Sequence, residues 1–241
     1  QQGMILVTGS TGTGKSTTLA AIIDHLNATR ALNIISLEDP IEFVHHCQRS
    51  QVIQREVGTH VSSFARGLRS ALREDPDVIL VGELRDTESI EMAMMAAETG
   101  HLVLGTLHTT SAVKTIDRII DSLPAEQREQ GKSFLAQNLL GVLTQVLVRS
   151  ADGHNRRAVF EFLLMNRPIS KMVLDGRTHL IPSQMQTGRN AGMKLMDQAL
   201  LEAVEAGDID PDEAYQIALE KKPFLRHVTD STLLSLDPDE D

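Results

Sequence analysis

Scarcities in this sequence narrow its chemistry before any motif is read. A single cysteine, Cys47, stands among 241 residues, so no disulfide closes within the chain and no cysteine-ligated structural metal site forms. A reducing cytosol fits that usage. No apolar run approaches the roughly 18–20 residues that a membrane-spanning helix needs, and the opening residues do not resemble a signal peptide. Positive charge is in deficit. The 23 Lys and Arg against 33 Asp and Glu leave a formal charge of −10, the wrong sign for a module that displaces counterions from nucleic acid. Asp237, Asp239, Glu240 and Asp241 crowd the carboxyl end, which reads as a frayed acidic tail. The remainder is ordinary for a globular chain, long enough for one large domain or a domain with an appendage.

What is present begins with "GSTGTGKSTT", residues 9–18, directly after the apolar run Met4-Ile5-Leu6-Val7-Thr8. Gly9, Gly14, Lys15 and Ser16 satisfy G-x-x-x-x-G-K-[ST], the spacing of a phosphate-cradling P-loop. In such a loop the backbone N–H groups of Gly12, Thr13 and Gly14 point at the β-phosphate. Lys15 neutralises the β- and γ-oxygens, and the Ser16 hydroxyl ligates Mg²⁺. The expected nucleotide-binding residues are Gly9, Ser10, Thr11, Gly12, Thr13, Gly14, Lys15, Ser16 and Thr17, with ATP and Mg²⁺ as ligands. A strand before and a helix after set this stretch apart from a chance glycine-rich turn.

Strand-like runs at 4–8, 33–37, 78–81 and 101–107, with a shorter one at 51–54, alternate with helical stretches at 15–27, 62–73, 87–98 and 112–121. That alternation predicts an α/β fold with a mainly parallel sheet. Residues 126–149 read as one long helix, because Phe134, Leu135, Leu139, Val142, Leu143 and Val146 recur at helical spacing. A strand at 158–164 follows, then only helical stretches. The predicted organisation is a nucleotide-binding core over 1–165, a small helical C-terminal appendage over 166–225 and a flexible tail over 226–241. Because the chain enters a core strand almost at once, it reads as a fragment.

Three further clusters carry candidate chemistry. "IISLEDPIEF" ends a strand with Glu38, Asp39 and Glu42, where ligands of open α/β sheets bind. Carboxylates there reach Mg²⁺ or an attacking water; a solvated acidic turn is the plain alternative. "DVILVGELRD" places Glu83 beyond a buried strand, with Gly82 where most P-loop enzymes carry a metal-holding aspartate. Glu83 then holds the metal's water shell or orients the attacking water, and Arg85 and Asp86 either join it or pair with each other. "GHLVLGTLHTT" puts His108 past a strand, as a γ-phosphate sensor or a polar cap. Glu83, Glu38 and His108 are thus the catalytic candidates, with Ser16 on the metal and Glu83 or Glu38 behind it through water. Arg66, Arg69 and Arg73 fall at i, i+3 and i+7 on one predicted helix face. With Arg85 they are candidates for a guanidinium delivered in trans, or else a salt-bridged surface.

Taken together, "LVTGSTGTGKSTTLAA", "LEDPIEF", "QREVG", "SALREDPDVILVGELRD" and "AAETGHLVLGTLHTTSA" closely resemble the secretion ATPase superfamily of type II secretion and type IV pili. Within it they look most like the PilT-type twitching-motility, or pilus retraction, ATPases. The resemblance implies a RecA-like P-loop NTPase core. It maps Walker A onto 9–16, the Asp box onto 35–43, Walker B onto 78–83 and the His box onto 101–108, and it makes Gly82 unexceptional. It further implies a cytoplasmic homo-hexamer, peripheral at the inner membrane, that hydrolyses ATP with Mg²⁺ between protomers. Such a ring acts on an inner-membrane platform protein, and an N-terminal PAS-like domain, absent from this chain, covers the nucleotide and contributes arginines.

Two departures matter. Assembly and secretion members carry a tetracysteine zinc motif, and this chain has one cysteine. The family's retraction motif Ala-Ile-Arg-Asn-Leu-Ile-Arg-Glu has Pro168-Ile169-Ser170-Lys171-Met172-Val173-Leu174-Asp175 as its counterpart, without either arginine. Other readings are therefore an assembly, secretion or auxiliary paralogue of another pilus system, or a slow nucleotide-dependent scaffold. Ile169, Met172 and Val173 are expected either to pack the appendage onto the core or to form a ridge that passes movement to a partner.

Overall fold

The computed structural model describes residues 2–234. Its core runs β1 (Gly3–Thr8), α1 (Lys15–Thr29), β2 (Asn33–Glu38), β3 (Gln51–Glu56), α2 (Phe64–Ala71), β4 (Val78–Val81), α3 (Thr87–Glu98), β5 (Leu102–Leu107), α4 (Ala112–Ser122), α5 (Arg128–Asn138), β6 (Leu139–Arg149) and β7 (Arg156–Leu164). Shorter helices follow: α6 (Arg167–Leu174), α7 (Ile181–Thr187), α8 (Met196–Glu205), α9 (Pro211–Ile217) and α10 (Ser231–Leu234). Among the described residues the strands form one sheet in the order β3-β2-β4-β5-β1-β6-β7. All are parallel except β7, which returns antiparallel along β6.

Parallel strands with both faces covered need near-continuous apolar runs, and β4 is buried from Val78 to Val81. On one face Leu19 and Ile23 of α1 pack against Val7, Ile34, Leu80 and Leu104. On the other, Leu68, Ala93, Ile116 and Leu135 from α2 to α5 meet Leu6, Leu37, Ile79 and Val103. Each large aliphatic side chain so buried contributes about 1.5–3 kcal/mol. This strand order sets β2, β4, β5 and β1 side by side. Their carboxyl ends, which carry Glu38, Glu83, His108 and the P-loop, therefore share one edge.

The predicted helix over 126–149 is corrected: α5 stops at Asn138 and the chain continues as β6 to Arg149. A strand buried on both faces is apolar nearly throughout, so its residues satisfy a helical spacing as easily as an extended one. The β-branched Val142, Val146 and Val148 favour the strand, and pairing with β1 and β7 decides it. The predicted helix over 62–73 is shorter. Ser63 caps α2 by accepting the Arg66 N–H at 3.2 Å, and Arg73 falls in the turn beyond.

Ile169 and Val173 are fully buried in the cluster that also holds Leu6 and Ile79, with Met172 packed against it. The ridge alternative is overturned: these residues are core packing. Helices α8 and α9 gather with Val148, Val159 and Phe224 in a second cluster. Residues 226–234 fold back, with Arg226 paired to Glu205 at 2.5 Å and the Thr229 N–H donating to Asp212 at 2.7 Å. The four terminal carboxylates of the expected tail lie outside the described residues.

Candidate active site

The loop after β1 is built from backbone conformations that side chains resist. Gly9, Gly12 and Gly14 have φ of +143°, +78° and +87°. A Cβ on Gly9 would also lie 2.3 Å from the Gln145 carbonyl oxygen. The loop turns straight into α1, whose first residue is Lys15. Lys15 Nζ donates to the carbonyls of Gly9 at 2.9 Å and Ser10 at 3.0 Å, and the Thr13 hydroxyl donates to Ser10 at 2.9 Å. Burial pushes the Lys15 ammonium below the usual lysine range, while the Glu83 and Glu42 carboxylates pull it back up. An anion set against Nζ would act in the same sense as those carboxylates.

A cleft of about 450 Å³ opens over this loop, within the range of small-molecule sites. Thr11, Gly12, Gly14, Lys15, Ser16 and Thr17 line it from the P-loop side, and Glu38, Glu83, Arg85 and His108 from the strand ends. Gly9, Ser10 and Thr13 belong to the loop without lining the cleft. Glu83 is held from both sides: Oε1 lies 3.1 Å from His108 Nε2, and Oε2 accepts from Arg85 Nε at 2.6 Å. His108 Nδ1 reaches Thr11 Oγ1 at 3.5 Å, so the histidine touches Walker B and P-loop together. Glu38 Oε1 accepts from Ser36 Oγ at 2.6 Å and Gln54 Nε2 at 3.0 Å, a fixed position one strand away.

Arg85 and Asp86 do not pair with each other. Arg85 turns to Glu83 and, at 3.7 Å, to Asp39, while Asp86 caps α3 by accepting the Ser89 N–H at 2.8 Å. Gly82 has a steric reason: a Cβ there would stand 3.2 Å from the Leu37 carbonyl and 3.3 Å from Glu38 Cα, both backbone atoms. A side chain at this position requires the β2 backbone to give by a few tenths of an ångström. Arg66, Arg69 and Arg73 are not brought to the cleft; Arg69 lies 3.5 Å from Glu88 at the surface.

One residue of the site escaped the sequence reading. Gln145, on β6, donates through Nε2 to the Thr13 carbonyl at 2.5 Å and accepts from the Thr18 hydroxyl at 2.8 Å. Its neighbour Thr144 bonds Thr8 at 2.9 Å. The signal was a polar Thr-Gln pair inside an apolar run, invisible while that run was read as helix.

Fold and cleft together define a RecA-like P-loop core. A family model described as "Type II/IV secretion system protein" matches residues 1–230, and the chain belongs to that family. It is 51% identical over 213 residues to the "Twitching motility protein" of Neisseria gonorrhoeae, covering 88% of this chain and 57% of that protein. It is 48% identical over 217 residues to the "Type IV pilus retractation ATPase PilT" of Pseudomonas aeruginosa, covering 90% and 63%. A solved structure titled "Crystal Structure of the Pilus Retraction Motor PilT and Bound ADP" matches with a TM-score of 0.86 at 45% identity, over 92% of this chain and 62% of that one. The chain thus spans less than two thirds of the length of each of these relatives.

Proposed function

We propose that this chain is the catalytic core of a Mg²⁺-dependent ATPase that drives type IV pilus retraction, and so twitching motility. The observation that carries the reading is Glu83, fixed between His108 and Arg85 in the same cleft as the P-loop Lys15. Lys15 would bind the β- and γ-oxygens, and the Ser16 hydroxyl, with Glu83 or Glu38 through water, would hold Mg²⁺, whose preference for oxygen donors these residues meet. The metal supplies charge neutralisation at the transferring phosphoryl group. Glu83 orients the attacking water, and His108, in reach of both Glu83 and Thr11, registers the γ-phosphate. The working form is a cytoplasmic homo-hexamer at the inner membrane, acting on a platform protein.

An auxiliary or differently partnered role keeps one observation in its favour. The two motif arginines are Ser170 and Leu174 here; Ser170 bonds the Ala136 carbonyl at 2.7 Å, and Leu174 is exposed. The surface that α6 offers a partner therefore carries no charge at those positions.

Glu83→Gln in the full-length protein should bind ATP and turn over at least about 100-fold more slowly, since it removes a preorganised charge at a phosphoryl-transfer site. Steady-state hydrolysis checks this, and it also separates a motor from a slow scaffold. Cells carrying Glu83→Gln should keep their pili and lose twitching. Near-normal turnover would remove Glu83 from the mechanism, and normal twitching would remove the retraction role.

A further inference from the structure

Gln145 exposes 1% of its surface and uses its amide at both ends. Chemistry fixes which end faces which partner. The Thr13 carbonyl only accepts, so Nε2 must face it, and Oε1 is left for the Thr18 hydroxyl, which can donate. The strand beneath is anchored next door, where Thr144 pairs in register with Thr8 and the two hydroxyls bond. Gly9 lets β6 come this close, since any Cβ there would meet the Gln145 carbonyl.

The Thr13–Gly14 peptide is trans, because the one cis bond among the described residues is Asp39–Pro40. A trans peptide holds its C=O and N–H on opposite sides. With the Thr13 carbonyl drawn to Gln145, the Gly14 N–H is turned the other way, toward the cleft that Gly14 lines. Gly14 is left-handed, with φ of +87°, and a Cβ there would press on Nε2 at 3.3 Å.

We infer that Gln145 is a positioning residue of the nucleotide site. It orients the Thr13–Gly14 peptide so that the Gly14 N–H meets the β-phosphate of a bound nucleoside di- or triphosphate, and Thr18 orients Gln145. The inference rests on the nucleotide-site reading and adds to it a residue that touches no phosphate, on a strand outside every box of the family motif.

The test compares affinities for ADP and for AMP, which has no β-phosphate, in the full-length protein and three variants. Gln145→Leu should weaken ADP binding about 10-fold or more, the scale of one lost charge-assisted hydrogen bond, and leave AMP within about twofold. Thr18→Val should weaken ADP binding about threefold, again sparing AMP. Because Thr18 acts through Gln145, the double variant should be no weaker than Gln145→Leu alone. Equal losses for ADP and AMP would mean a general loosening of the site, and multiplying effects would mean that Thr18 acts independently; either overturns the inference. So does ADP affinity within twofold of the unaltered protein. If Gln145→Leu does not fold, the ADP-to-AMP contrast in Thr18→Val decides. Failure of the unaltered protein to bind ADP would instead strike the nucleotide site itself, and this inference with it.

Discussion

Glu161 is the buried acid for which the cleft has no use. Its Oε1 accepts the Ala112 N–H at 2.6 Å and its Oε2 the Met196 N–H at 3.2 Å, so one carboxylate closes the first turns of both α4 and α8. Burial pushes this carboxyl above the usual glutamate range; the two N–H donors pull it down, and Asp197 adds to the rise. The folded protein therefore holds the Glu161 proton more tightly than the unfolded chain. Its contribution is complete below the ordinary glutamate pKa and is lost as pH rises through the elevated folded value. Glu161→Gln removes that titration and turns one acceptor into a donor facing an N–H, which costs about 1–3 kcal/mol. Thermal melts of both proteins across a pH series should show the native advantage largest at the acidic end and shrinking as pH rises. A pH-independent gap would show that folding leaves the Glu161 pKa where it stands in the unfolded chain.

At the scale of elements, α6 shows how a helix that resembles a partner-binding motif is tied to the core. Pro168 opens its first turn, and Asn166 caps it by accepting the Ile169 N–H at 3.0 Å. The face carrying Ile169 and Val173 is buried against α5 and the sheet cluster, while Leu174 points to solvent. Ile169→Ala should cost about 2–5 kcal/mol through lost burial and a residual cavity. Leu174→Ala, on the exposed side, should stay within about 0.5 kcal/mol. Urea unfolding midpoints measure both. If Leu174→Ala leaves stability intact and abolishes twitching, the partner surface lies on that exposed side; equal destabilisation by the two would contradict the burial described.

For the whole molecule, the arginines raise the question of completeness. Arg66, Arg69 and Arg73 stand off the cleft of their own chain, and Arg85 is engaged by Glu83. On the proposed ATPase reading, a guanidinium for the transition state is then delivered from outside this chain's own cleft, as by a neighbouring copy. Withdrawing an arginine finger costs about 10³–10⁵-fold in turnover. Residues 1–241 alone should accordingly hydrolyse ATP weakly, with activity per site that rises with protein concentration, as steady-state assays over a dilution series would show. Robust turnover independent of concentration would mean that the core needs neither a neighbour nor further chain.

Much of this protein was legible in its residues because the relevant physics is local. Glycines at 9, 12 and 14 before Lys15 describe a loop whose backbone only glycine tolerates, and the apolar runs at β1, β2, β4 and β5 announce buried parallel strands wherever they pair. Four polar clusters, each just past such a run, had to lie at strand ends, and in an open sheet the carboxyl ends are where ligands bind. What local physics left undecided was fixed by partners distant in sequence. The run from Leu139 to Arg149 suits helix or strand, and only pairing with β1 and β7 makes it extended. Ile169 and Val173 are apolar in either role, and only the sheet cluster makes them core. Gln145 is an unremarkable polar residue until β6 lies beside β1 and brings its amide under a loop 132 positions away in the chain. Sequence alone determined the phosphate chemistry, because backbone conformation and side-chain type carry it; the tertiary structure decided what aims that chemistry, because aiming depends on contacts that no local pattern encodes.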